Sequence, residues 1–226
     1  MTELEFSSEM DVQVFGHYGS DEQIAQVART SLAKELVPFN DVERLVPHLV
    51  REGHNTTYEH NLTSFRMDVP IFVHRQIMTH RHLTKNTESG RYVQLRPKFY
   101  IPSEDRPMVN EGTSARPKMV KGEGYHNEVL EDVQSDLAQR AWDQYEYLLG
   151  IGVAKESARA HLPVNQYTSC IVSGNLNAWF NFMAKRGGYV GHPQEEIVQV
   201  AKKVEEAIAN FYPLAYGAWK TRMLKP

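Results

Sequence analysis

A single cysteine, Cys170, in a chain of 226 residues rules out a disulfide scaffold within the chain and leaves a Cys-built zinc centre without ligands. Such sparse cysteine suits a reducing compartment, so the cytoplasm is the expected location. No apolar run approaches the length needed to span a bilayer. The first residues, MTELEFSSEMDV, are acidic and carry no apolar signal core. A basic excess is also missing: net charge is -3 with His neutral, which argues against a general nucleic-acid binder. Neither G-x-G-x-x-G nor G-x-x-x-x-G-K-S/T occurs, so the common dinucleotide and P-loop readings lack support. There is no internal repeat and no low-complexity tract. What remains is an ordinary soluble composition, 41% hydrophobic and 23% charged, on a chain long enough for one large domain, 1–226.

Periodicity divides this chain into helices and a few strands. Asp21 to Leu36 reads as a helix, with Ile24, Val27, Ala28 and Leu32 on one side and Ser20 or Asp21 as cap. Asp41 to Glu52 reads as another, kinked or divided by Pro47. Asn61 to Val69 alternates Thr63, Phe65 and Met67 against Ser64, Arg66 and Asp68, a strand with one wet face. A short helix is expected from Pro70 to about His80. Residues 102–124 are polar and rich in Pro and Gly, an irregular excursion within the domain. His126 to Leu149 is the clearest helix, with Leu130, Val133, Leu137, Ala141 and Leu148 as its apolar stripe. Ala154 to His161 is a short helix and Tyr167 to Val172 a strand. Two amphipathic helices follow, Asn175 to Lys185 and Gln194 to Phe211. Strands that do not alternate regularly with helices point to an α+β fold rather than a doubly wound one.

The densest chemistry lies at Thr79 to Tyr92, THRHLTKNTESGRY. Cations, hydroxyls and amides crowd this segment, and Gly90 permits close backbone approach, so it suits a phosphate-bearing ligand. His54, His60, His80 and His82 lack a recognised metal-ligand spacing, so no metal is expected. Cys170 sits inside the apolar run Thr168 to Val172 and reads as a buried structural thiol. Arg159 lies among small neighbours; a pocket cation and a surface ion pair are both open readings. Asn177 and Asn181 share a helix face and suggest amides that bind something. Asn175 reads as a cap or a ligand contact. Arg186 at the helix end is favoured by the macrodipole and equally fits a cation positioned in a cleft.

Taken in order, these residues resemble the flavin-dependent thymidylate synthases, the ThyX family. The resemblance rests on Thr79-His80-Arg81, seven residues, then Ser89-Gly90-Arg91-Tyr92. Upstream it takes in Gly53-His54-Asn55-Thr56, Glu59-His60, and Pro70-Ile71-Phe72-Val73 with Arg75-Gln76. Downstream it takes in Ala158-Arg159, Leu162-Pro163, Asn175, Asn181-Phe182, Arg186 and Gln194 with Glu196-Ile197.

The resemblance implies a ThyX-like α+β fold, with helices around a small, largely antiparallel sheet. It implies a homotetramer that makes dTMP from dUMP, with active sites where subunits meet. Methylenetetrahydrofolate gives the carbon, and FAD recharged by NADPH gives the hydride. Arg186 falls at the catalytic cation. Arg75, Gln76, Thr87, Glu88, Ser89, Gly90, Arg91 and Arg159 fall on dUMP-binding positions, with Arg186. Thr56, Glu59, Thr79, His80, Arg81, Asn175, Asn177 and Asn181 fall around FAD. An alternative is a ThyX-like enzyme acting on another pyrimidine nucleotide or giving a hydroxymethyl product.

This chain departs from the family pattern in three side chains. Thr79 stands where the first Arg of the triplet is usual, and Arg75, read as one helical turn earlier on the same face, is the expected substitute. Thr87 stands in place of Glu or Gln. Asn177 replaces a frequent Arg, which predicts a weaker hold on flavin phosphates. Two extra residues between Arg186 and Gln194 predict a loop of different shape.

Overall fold

The computed structural model describes residues 2–31 and 41–224. The first elements are β1 (Glu5–Ser7), β2 (Asp11–Tyr18), α1 (Asp21–Thr30) and α2 (Val42–Arg51), then a 3-10 turn at Asn55–Thr57. Next come β3 (Leu62–Pro70), α3 (Ile71–Met78), β4 (Thr84–Thr87), β5 (Lys98–Tyr100), β6 (Val109–Asn110) and β7 (Met119–Val120). α4 (Gly124–Gly150) and α5 (Lys155–Ala158) lead into a second 3-10 turn, Arg159–His161. The chain then forms β8 (Tyr167–Asn175), α6 (Leu176–Arg186), α7 (Glu195–Phe211) and α8 (Pro213–Met223).

A four-stranded sheet has the order β2-β3-β8-β4; β1 pairs with β5 in parallel, and β6 with β7 antiparallel. Helices therefore accompany small sheets without βα alternation, the α+β class expected. The β6–β7 pair gives the polar excursion a hairpin that its composition did not announce. Residues 32–40, which include the predicted Leu32 and Leu36, lie outside the described residues.

The chain divides into two compact units. Unit 1 comprises Met1–Asp11, Asp68–Ile77 and Thr87–Cys170; unit 2 comprises Val12–Met67, Met78–Asn86 and Ile171–Pro226.

Unit 1 is organised by α4. Its buried side chains are Ala138, Trp142 and Tyr145, packed with Leu4, Phe99 and Ala158. The predicted stripe is thus displaced around the helix: Val133 and Leu137 are 49% and 56% exposed. Trp142 and Tyr145 carry more apolar area than the aliphatic positions, so burial of the aromatic side dominates the helix orientation. Trp142 meets Phe99 edge-on at 6.1 Å, and the Tyr145 hydroxyl accepts from the Leu95 N–H at 3.2 Å.

Unit 2 is organised by α6. Leu176, Ala178, Trp179, Phe180, Phe182 and Met183 are buried, and α7 buries Ile197, Val200, Ala201, Val204 and Ile208. Trp179 donates from Nε1 to the Thr63 carbonyl at 3.0 Å and meets Phe65 edge-on at 4.9 Å. Phe180 stacks on Trp219 at 5.2 Å. Ser20 caps α1 through the Gln23 N–H. Asp21 instead receives the first N–H groups of α8, from Leu214 at 2.8 Å and Ala215 at 3.1 Å, so it serves a helix distant in sequence. Asn175 caps α6, its Oδ1 accepting from the Ala178 N–H at 2.8 Å. Pro47 lies within α2 without dividing it.

Trp179 is the main apolar anchor of α6, so Trp179→Ala should lower the unfolding free energy by about 3–5 kcal/mol. Urea unfolding measures this, and a loss below about 1 kcal/mol would contradict the packing described.

Candidate active site

Unit 2 contains a cavity of about 520 Å³ lined by Thr79, His80, Arg81, His82, Leu83, Ala178, Asn181, Lys185 and Arg186. It is built from the segment after α3 and one side of α6. α3 ends at Met78, two residues before the expected end, so Thr79 is not on a helix face shared with Arg75. Lys85 holds the turn after α3: its Nζ donates to the His80 carbonyl and, at 3.5 Å, to the Met78 carbonyl. Helical spacing brings Ala178, Asn181 and Lys185 to one side of α6.

Arg186 is tied to the 79–80 segment by two bonds. Its Nε donates to His80 Nε2 at 3.0 Å, and its Nη2 donates to Thr79 Oγ1 at 3.0 Å. His80 therefore accepts at Nε2 and is neutral, with its proton on Nδ1. Burial pulls the His80 pKa down to about 4, and the charges of Arg186, Lys185 and Lys85 add to the effect. The ring also meets Phe182 edge-on at 5.0 Å. None of the residues lining the cavity is a carboxylate, and Arg81, Lys185 and Arg186 are cations. Such a donor set suits a phosphate-bearing or delocalised anion.

Other predicted cofactor residues lie in the same unit. Asn177 donates from Nδ2 to Glu59 Oε1 at 2.7 Å, and Asn181 donates to the Asn177 carbonyl at 2.9 Å. Thr56 is exposed on the first 3-10 turn, outside the cavity lining. Asn175 has its Oδ1 committed to the helix cap. Leu83, Ala178 and Lys185 line the cavity without having been singled out, and His82, weighed only as a metal ligand, lines it too. The signal for Lys185 and Ala178 was present: positions 178, 181 and 185 recur at i, i+3 and i+7 around the predicted Asn181.

Unit 1 brings together a second set. Ser89 starts a tight turn, its carbonyl accepting from the N–H groups of Tyr92 and Val93 at 3.0 and 3.1 Å. Ser89 Oγ accepts from the Arg91 N–H at 3.3 Å. Gly90 is buried; a Cβ there would meet Arg159 Cδ and both Leu95 methyls at 3.0 Å. The absence of that carbon lets the Arg159 stem lie against the turn. Arg91 pairs with Glu156 at 2.6 Å, both half-exposed, an ion pair that an incoming anion can displace. Thr87 Oγ1 bonds His74 Nε2 at 2.9 Å. Arg75 is exposed on α3, and Gln76 is half-buried next to it.

Glu88 turns inward. Its N–H bonds the Ser169 carbonyl at 2.9 Å, one carboxylate oxygen lies 3.6 Å from Arg96, and burial raises its pKa. Arg96 also grips Asp68 with two bonds, at 2.6 and 3.3 Å. Burial alone would raise the Asp68 pKa, but bonds from Arg96, Lys98 and Ser169 hold it below the usual carboxylate range. Burial among Asp68 and Glu88 pushes the Cys170 thiol up to about 12, so it is no nucleophile at neutral pH.

The linkage at His80 has a definite sign. Its pKa is depressed on folding, so its contribution to stability is present above about 6.5 and is lost as pH falls towards about 4. NMR of the imidazole should find His80 uncharged until pH nears 4, whereas a midpoint at its ordinary value would contradict the geometry.

Comparison with known proteins identifies the family. The family model described as "Thymidylate synthase complementing protein" matches residues 13–214. A flavin-dependent thymidylate synthase from Tropheryma whipplei is 34% identical over 95% of this chain and 94% of its own length. Another, from Streptomyces avermitilis, is 35% identical over 96% and 93%. Among solved structures, the UMP/dUMP methylase PolB from Streptomyces cacaoi bound with 5-Br UMP superimposes with a TM-score of 0.90 at 29% identity, covering 97% of each chain. Its complex with 5-Br dUMP gives 0.89 at 30% identity, covering 99% of this chain and all of the other. With cations concentrated around Thr79–Arg186, a turn at Ser89-Gly90 and these relatives along almost its whole length, the chain belongs to the flavin-dependent thymidylate synthases, a family of enzymes.

Proposed function

We propose that this enzyme converts dUMP to dTMP, with methylenetetrahydrofolate as carbon donor and NADPH as the source of reducing equivalents. The balance is dUMP plus methylenetetrahydrofolate, NADPH and a proton, giving dTMP, tetrahydrofolate and NADP. The observation that carries this reading is Arg186, a guanidinium on neutral acceptors beside a cavity whose lining holds no carboxylate. Carbon–carbon bond formation at C5 of uracil needs an electron-rich ring. A thiolate adding at C6 is one route, and Cys170 is unsuited to it. The other route stabilises negative charge around N3 and O4, which suits a permanently charged, planar donor fork.

Thr56, Glu59, Thr79, His80, Arg81, Asn175, Asn177 and Asn181 are the residues proposed to hold FAD, and the Asn181 amide and the cations of the cavity fit a flat, diphosphate-bearing group. Bound there, FAD supplies the hydride chemistry, while the chain orients substrates and excludes water. Ser89, Gly90, Arg91 and Arg159 are proposed to grip the nucleotide phosphate. Arg75, Gln76, Thr87 and Glu88 complete the nucleotide side. Thr87 and Glu88 make their own contacts within unit 1, so their part is to shape that turn. In a homotetramer the two sets need not come from the same subunit. A cytoplasmic enzyme fits the single buried cysteine, and none of the described helices is long and apolar enough to cross a membrane.

A second reading, acceptance of UMP as well as dUMP, is favoured by the likeness to a UMP/dUMP methylase. Incubating purified enzyme with FAD, NADPH, isotopically labelled methylenetetrahydrofolate and either nucleotide, followed by mass analysis, separates the two. Methylated dUMP alone supports the first reading, methylation of both supports the second, and no labelled nucleotide from either overturns the proposal.

Arg186→Ala should lower turnover by about a hundredfold or more, as loss of one preorganised charge donor does elsewhere. Gly90→Ala should act on binding: an increase of about tenfold in the KM for dUMP with a much smaller change in kcat is expected. Steady-state kinetics checks both variants.

A further inference from the structure

Thr79 occupies an exposed position immediately after α3, where an ordinary threonine would simply face water. Its hydroxyl is instead bonded to the Arg186 Nη2, while the next residue, His80, takes the Arg186 Nε. These two donors form one side edge of the guanidinium. Two acceptors from adjacent residues therefore fix both the position and the plane of the group.

The acceptors are neutral. A carboxylate in either place would hold Arg186 more tightly but would cancel the charge that an anionic ring needs. The cations facing His80 are Lys85 from β4 and Lys185 and Arg186 from α6, with the Phe182 ring against it. All of them favour the uncharged imidazole, the only form able to accept at Nε2. The Thr79 side chain is β-branched, so few χ1 states are open to its hydroxyl. Lys85 secures the backbone beneath the pair through the Met78 and His80 carbonyls.

We infer that Thr79 is a positioning residue for Arg186, forming with His80 a clamp that sets the guanidinium plane before the pyrimidine arrives. The inference rests on the function proposed above for its effect on turnover. The clamp itself does not depend on it. Preorientation of this kind lowers the reorganisation needed as charge develops on the substrate and so acts on kcat more than on nucleotide affinity. It also gives Thr79 a task of its own at a position where the family resemblance leads one to expect a cation.

Thr79→Val keeps shape and branching and removes the acceptor; Thr79→Ser keeps the acceptor. Measured at saturating FAD, the expected result for Thr79→Val is a fall in kcat of about 10- to 30-fold, with the nucleotide KM within about twofold of the parent. Thr79→Ser should recover most of the rate. Independently of activity, the Arg186 Nη2–H that Thr79 accepts should give a protected NMR signal in the parent and in Thr79→Ser, and an exchange-broadened one in Thr79→Val. Parental turnover in Thr79→Val overturns the inference, as does retention of the protected signal in that variant, whatever its rate. Should the parent protein methylate neither dUMP nor UMP, the functional proposal fails, and the signal alone then decides for or against the clamp.

Discussion

The arrangement at the candidate site depends on one cation bonded to two neutral acceptors from adjacent residues. Arginine on a protein surface ordinarily meets a carboxylate, and the pair then presents little net charge. Here the Arg186 guanidinium is held by a hydroxyl and a neutral imidazole at 3.0 Å each. Neutral acceptors cost some binding strength relative to a carboxylate. In return neither acceptor brings a negative charge to the partly desolvated cavity, where fields are least screened. The surroundings enforce this state: burial and the nearby cations keep His80 uncharged, and the aromatic packing of Trp179 and Phe182 fixes the helix that carries the arginine.

The rest of unit 2 supports that helix end. Asn175 caps the start of α6, and the segment after Arg186 is tethered through Tyr189, whose hydroxyl donates to Glu205 at 2.6 Å. Tyr216 and Lys220 donate to the same carboxylate oxygen, at 2.6 and 3.1 Å. In unit 1 a different logic prevails. A tight turn without a Cβ at Gly90 lets an arginine stem lie against backbone, and the adjacent Arg91 rests on an exposed, exchangeable partner. Such weak surface pairing suits a cation awaiting a phosphate. One unit thus concentrates cations around a cavity, and the other holds two arginines beside a tight turn.

Much of this was legible in the sequence, for physical reasons. Long periodic segments such as α4 and α7 announced themselves, and the alternation of β3 matched its buried Thr63, Phe65 and Met67. The 79–92 segment was conspicuous because so many donors lay so close together. Other features were hidden. The buried side of α4 was misjudged because aliphatic residues also recur at helical spacing on its wet side. The Asp21 cap on α8 and the Thr79–Arg186 bond join residues far apart in sequence, and no local pattern encodes them. The expected substitution of Arg75 for a missing cation assumed a longer α3; the helix ends at Met78, and Thr79 lies beyond it.

Ionisation of a bound pyrimidine tests the central claim most directly. A 5-halogenated dUMP changes its ultraviolet spectrum when N3 loses its proton, so the pH of that change can be followed on the enzyme. A guanidinium fixed at the cavity predicts that the bound ring ionises at lower pH than the free nucleotide and that Arg186→Gln abolishes the difference. Ionisation at the same pH when free, when bound to the parent protein and when bound to the variant would contradict the account.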